Sequence, residues 1–101
     1  MITSKERAAL RAQANPLDVT LIVGKGGISD TLLDEAVVLL DSHELVKGRV
    51  LENSLLTARE ACDQLAEVCR AEPVQVIGSK FVLYKRNEQK PKIELVKKAK
   101  K

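Results

Sequence analysis

The run from Val19 to Val23 is β-rich and apolar, stops at Gly24-Lys25-Gly26-Gly27, and passes through Ser29 into a helical pattern. A strand that turns through glycines into a helix commits the chain to an α/β fold, since the strand needs sheet partners and the helix needs a sheet to cover. Leu33, Ala36, Val37 and Leu40 recur at three and four residues, with Leu32 and Leu39 widening the stripe, so the spacing predicts a helix from the Ser29 cap to about Ser42.

The flanking segments extend the same alternation. Thr3 and Glu6 have the form of a capping box, and an Ala-rich helix over residues 4 to 14 is ended by Asn15-Pro16. Glu44 to Val50 reads as a second strand that places Val46, Gly48 and Val50 on one face and Leu45, Lys47 and Arg49 on the other. A glycine in its middle is expected to weaken or bulge it. Thr57 and Glu60 form another capping pair before a helix carrying Ala58, Ala61, Cys62, Leu65, Val68 and Cys69, with Pro73 just beyond its end. Val74 to Ile77 and Phe81 to Lys85 are joined around Gly78-Ser79, a pair suited to a tight hairpin turn. The predicted fold is α/β, a single compact domain over about residues 3 to 86 in the order α-β-α-β-α-β-β, with a four-stranded sheet and helices packed on it. At 101 residues there is room for one modest core. Residues 87 to 101 read as a Lys-rich, flexible C-terminal tail.

Charge is distributed unevenly. From Lys85 to the end there are eight basic and two acidic residues, whereas residues 1 to 84 carry nine basic and twelve acidic ones. An acidic body with a basic end suits a polyanionic partner, and equally a solvated tail that maintains solubility. Phe81 and Tyr84 are the aromatic residues, so a stacking platform of several rings cannot be built and a nucleic acid would be held mainly by its backbone. No apolar run resembles a signal-peptide core or spans a bilayer, which gives the expectation of a cytoplasmic protein with no membrane partner.

Chemistry that needs a nucleophile, a metal or a cofactor has little to stand on. Cys62 and Cys69 are seven residues apart on one predicted helix, about 10 Å at 1.5 Å per residue, too far for a disulfide and without ligands at zinc-site offsets. Both read as small core residues. His43 sits between helix and strand, where it is expected to cap the last helical carbonyls. No catalytic or metal-binding residue and no cofactor is predicted.

The glycine loop is the informative element. Glycines permit positive φ and leave the backbone open to a bulky polyanion, the following helix start offers N–H groups and a positive dipole end, and Lys25 adds a mobile charge at the tip. Spacing alone fits an ordinary strand-to-helix connection equally well. Neither a nucleotide-binding P-loop nor a dinucleotide fingerprint is complete here. Arg7 and Arg11 lie four apart on one face of the first helix, as a solvated stripe or as phosphate contacts.

Asn15-Pro16-Leu17, Val23-Gly24-Lys25-Gly26-Gly27-Ile28, His43-Glu44-Leu45-Val46-Lys47, and Val74-Gln75-Val76-Ile77-Gly78 with Val82-Leu83-Tyr84-Lys85 occur in one register. In this the sequence resembles the CRM domain, an RNA-binding family named for chloroplast RNA splicing and ribosome maturation, in its stand-alone bacterial YhbY form. The resemblance implies a domain shaped like the C-terminal domain of translation initiation factor three, a Gly-x-x-Gly loop like that of KH domains, and association with the large-subunit precursor in bacteria. Carried over by position, it points to Gly24, Lys25, Gly26, Gly27, Lys47 and Arg49 as RNA contacts, to which Arg7, Arg11, Lys80 and Lys85 are added as basic candidates. Ala71-Glu72-Pro73 departs from the glycine-containing turn expected of the family.

Two functions follow. One is a non-catalytic monomer that binds ribosomal RNA of the large-subunit precursor as an assembly factor, with ribosomal proteins as further partners. The other is an adaptor whose acidic helices, with Asp30, Asp34, Glu35, Asp41, Glu60, Asp63 and Glu67, recognise a basic ribosomal or other protein.

Overall fold

The computed structural model describes residues 3–85; the Lys-rich segment predicted as a tail lies outside them. The elements are α1 (Ser4–Ala14), β1 (Leu21–Val23), α2 (Asp30–His43), β2 (Leu45–Val50), α3 (Ala58–Cys69), β3 (Glu72–Ile77) and β4 (Lys80–Tyr84). They form one mixed sheet in the order β1-β2-β4-β3, with β1 parallel to β2 and the other pairs antiparallel. The element order is the one the periodicities predict. No described helix is long and apolar enough to cross a membrane.

Three layers result. Alternate residues of the strands feed two cores: Leu21, Val23, Val46, Val50, Phe81 and Leu83 pack under α2 and α3, while Leu45, Val82 and Tyr84 pack with Leu10 and Ala14 of α1. The two-face reading of β2 therefore holds. Both capping boxes form, Thr3 with Glu6 and Thr57 with Glu60, each satisfying two backbone N–H groups of a helix start.

Gly48 does not bulge β2, whose pairing with β4 runs without a register shift from Leu45 to Arg49. The ring of Phe81, the cross-strand partner of Gly48, occupies the space its side chain would take: a Cβ there would lie 2.6 Å from Phe81 Cε1. The missing side chain is replaced from the neighbouring strand. The irregularity falls instead in β3, between Pro73 and Gln75, on an edge strand where proline is tolerated because its missing N–H faces outward.

Two helix ends differ from expectation. His43 is the exposed last residue of α2, and the Leu40 carbonyl is taken by the backbone N–H of Glu44, a buried residue at φ 65°, rather than by the imidazole. The α3 end lacks a glycine, so Arg70 adopts the left-handed conformation (φ 58°, ψ 41°), and Ala71 N–H bonds the Ala66 carbonyl. A Cβ is disfavoured there, so Arg70→Gly is expected to stabilise the fold by about 0.5–1 kcal/mol, read as a raised thermal midpoint.

Cys62 and Cys69 are buried free thiols in the α3 packing. Burial pushes the Cys62 thiol from 9.0 up to about 11, with Asp63 adding to the rise and Arg59 opposing it. The folded state thus holds its proton more tightly than the unfolded chain does. This contribution to stability is complete below about pH 9 and lost as pH rises to about 11. Denaturant titrations of wild type and Cys62→Ala should diverge over that window, with the steeper alkaline decline in the wild type.

Candidate nucleic-acid interface

Parallel pairing of β1 with β2 brings the ends of both strands, and the β3–β4 hairpin, to one end of the sheet. Gly24 to Gly27 form a tight turn there, closed by a 3.0 Å hydrogen bond from Gly27 N–H to the Gly24 carbonyl. Only Gly27 of the three loop glycines has positive φ, at 67°. A Cβ at Gly26 would meet nothing within 4 Å, and Lys25 is exposed beside it. The turn presents open backbone with one cation at its tip.

The α2 start contributes less than the sequence suggests. Ser29 Oγ accepts the Leu32 N–H at 3.2 Å, Ile28 packs against the core, and Asp30 occupies the first turn. One orphan donor is already satisfied, and a carboxylate already complements the dipole.

Arg49 and Lys80 are cross-strand partners at this same end, both exposed on the face that α1 covers elsewhere. Lys47 points to that face too, but its Nζ lies 3.4 and 3.5 Å from the carbonyl oxygens of Ala14 and Asn15, where it caps the C-terminus of α1. Arg7 donates from Nη1 to the Pro73 carbonyl and so ties α1 to β3, across the sheet from the glycine turn. Arg11 is half-buried on the same helix. Lys85 follows β4, where its N–H bonds the Glu44 carbonyl, at the opposite end of the sheet. The structure thus gathers Gly24, Lys25, Gly26, Gly27, Arg49 and Lys80, gives Lys47 and Arg7 structural contacts, and sets Lys85 apart.

Charge divides across the sheet. Asp30, Asp34, Glu35 and Asp41 of α2 and Glu60, Asp63 and Glu67 of α3 are all exposed on one outer layer, whereas Arg7, Arg11, Lys47, Arg49 and Lys80 belong to the α1 side. A polyanion approaching the glycine turn is therefore guided over the α1 side and away from α2. Sequence reasoning did not single out Ile22 and Ile77, which flank the two cations. Both are exposed apolar residues whose cross-strand register could have been read only with the strand order known.

The model of the CRS1 / YhbY (CRM) domain matches residues 2–85. The "Probable RNA-binding protein YqeI" of Bacillus subtilis is 35% identical over 95 residues, covering 94% of this chain and 99% of that protein. A protein of Haemophilus influenzae named "RNA-binding protein" is 29% identical over 97 residues, covering 96% and 97% of the two chains. The solution structure of SAV1595 from Staphylococcus aureus, 36% identical, superposes with a TM-score of 0.80 over 95% of this chain and 100% of that one. A match across the whole described domain, in sequence and in backbone, places the chain in the CRS1/YhbY (CRM) domain family.

Proposed function

We propose that the chain binds RNA without catalysing a reaction, and that it acts in the cytoplasm as a monomeric assembly factor on ribosomal RNA of the large-subunit precursor. The observation that carries RNA binding is the open Gly24–Gly27 turn sharing one end of the sheet with Lys25, Arg49 and Lys80. Relatives of matching length are named as RNA-binding proteins, which supports the same reading. The ribosomal assignment rests on the resemblance of the Gly-x-x-Gly and His43-Glu44-Leu45 motifs to the bacterial YhbY type. Cations and backbone groups dominate the surface, so affinity should fall steeply with salt. The three gathered cations, Lys25, Arg49 and Lys80, neutralise about three phosphates of a single strand, which gives a log–log slope of about −2.1. Fluorescence anisotropy across a salt series reads this directly.

The acidic outer layer favours a second reading. Thr20, Asp34, Glu35, Val38 and Leu39 line a groove of about 440 Å³ beside β1, a mixture of apolar and acidic side chains that suits a basic protein segment. Treating an extract with RNase before sedimentation separates the two. Loss of comigration with ribosomal particles supports RNA binding, whereas persistence of comigration after the RNA is digested supports the adaptor.

A further inference from the structure

The α1 helix covers only part of its face of the sheet. Beyond its end, one cross-strand row runs Ile22, Arg49, Lys80, Ile77 over all four strands. Alternation places all four side chains on the α1 side, because Leu21, Val23, Phe81 and Val76 pack on the other. Ile22 is 45% exposed and Ile77 62%. Beside the row, Asn15, Lys47, Gln75, Ile77, Lys80, Phe81 and Val82 line a hollow of about 110 Å³.

This arrangement weakens the free protein. Like charges directly opposite on antiparallel strands repel, and each isoleucine keeps apolar surface in water. A row of threonines or alternating charges would serve the sheet better. The cost is offset when a polyanion with apolar faces lies across the row. We propose that the row Ile22–Arg49–Lys80–Ile77, with Gln75 in the adjoining hollow, seats the bases of an unpaired RNA segment whose backbone continues onto the Gly24–Gly27 turn. This rests on the RNA-binding reading and specifies the class of RNA.

The choice of unpaired RNA follows from shape and chemistry. An A-form duplex shows a flat sheet its phosphates and 2′-hydroxyls, its major groove is too deep and narrow to enter, and its base faces are stacked inside. The isoleucines would then touch nothing apolar. Splayed bases instead cover them, while the two cations reach the phosphates between. Three strand spacings of about 4.8 Å make the row about 14 Å long, enough for a few nucleotides. Gln75 offers both a donor and an acceptor to a base edge in the hollow.

The test uses the full chain with an unstructured RNA oligonucleotide and a fully paired RNA duplex of equal length. The wild type should prefer the single strand. Ile22→Thr with Ile77→Thr keeps β-branched residues in both strands and should weaken single-strand binding about tenfold without altering the salt slope. Arg49→Gln with Lys80→Gln should lower that slope by about 1.4, two phosphates at about 0.7 each, while leaving the thermal midpoint unchanged or raised. Equal affinity of wild type and the isoleucine variant for the single strand, or a wild-type preference for the duplex, would overturn the proposed seat while RNA binding stands. Failure of the wild type to bind either RNA would overturn the RNA-binding reading itself.

Discussion

Gly26→Asp is expected to weaken RNA binding by about tenfold or more while leaving the fold untouched. Its site is open space at ordinary φ, so the new side chain meets neither a neighbour nor backbone strain. What it adds is a carboxylate where a phosphate must approach. Two like charges 4 Å apart repel by about 1 kcal/mol in bulk water and by about 4 kcal/mol in the poorer dielectric near a protein surface. Gly26→Asn supplies the control, since it has the same shape without the charge and should bind nearly as wild type. Gly27→Asp adds a second effect, because Gly27 sits at φ 67°, where a Cβ is strained, and it should also lose on the order of 1 kcal/mol of stability. The Gly26→Asp/Gly27→Asp protein should therefore keep its circular dichroism spectrum, melt slightly earlier, and lose specific RNA binding. Anisotropy titrations beside thermal melts separate the two contributions.

Gly48→Val should be the most damaging single change in the sheet. Its Cβ would lie within 3 Å of Phe81 Cε1 and Cε2, in a core where Phe81 is 1% exposed, so the ring has no free space to move into. Overpacking of this kind costs about 1–3 kcal/mol, which for a domain this size lowers the thermal midpoint by about 4–8 °C per kcal/mol. Phe81→Leu frees the space and should partly rescue Gly48→Val. A double-mutant cycle by chemical denaturation should show a favourable coupling between the two positions; additive losses would mean that the ring and the glycine do not share that space.

Features written within a few residues were legible in the sequence. The capping boxes at Thr3 and Thr57 and the Ser29 cap rest on local side-chain-to-backbone bonds, the Gly78-Ser79 turn rests on a glycine at φ 58°, and all appear where expected. Features set by strand order were not. The filling of Gly48 by Phe81 depends on a pairing between distant strands, so a local reading saw only a missing side chain. In sequence Lys47 reads as a free cation of a basic strand, but the fold sets the C-terminal carbonyls of α1 against it; Arg7 reads as part of a solvated stripe or as a phosphate contact, and β3 supplies it with the Pro73 carbonyl. The left-handed Arg70 carries no glycine to announce it. At the candidate site, the Gly-x-x-Gly turn was visible as spacing. Its neighbourhood with Arg49, Lys80, Ile22 and Ile77 emerges only from the order β1-β2-β4-β3.

Ultraviolet crosslinking of RNA to the full chain, with the crosslinked peptides identified by mass spectrometry, tests the central claim most directly. If the glycine-turn end of the sheet is the RNA surface, crosslinks should concentrate on the peptides holding Ile22 to Gly27, Arg49 and Ile77 to Lys80. Crosslinks confined to α2 and α3, or to the opposite end of the sheet around Lys85, would contradict it.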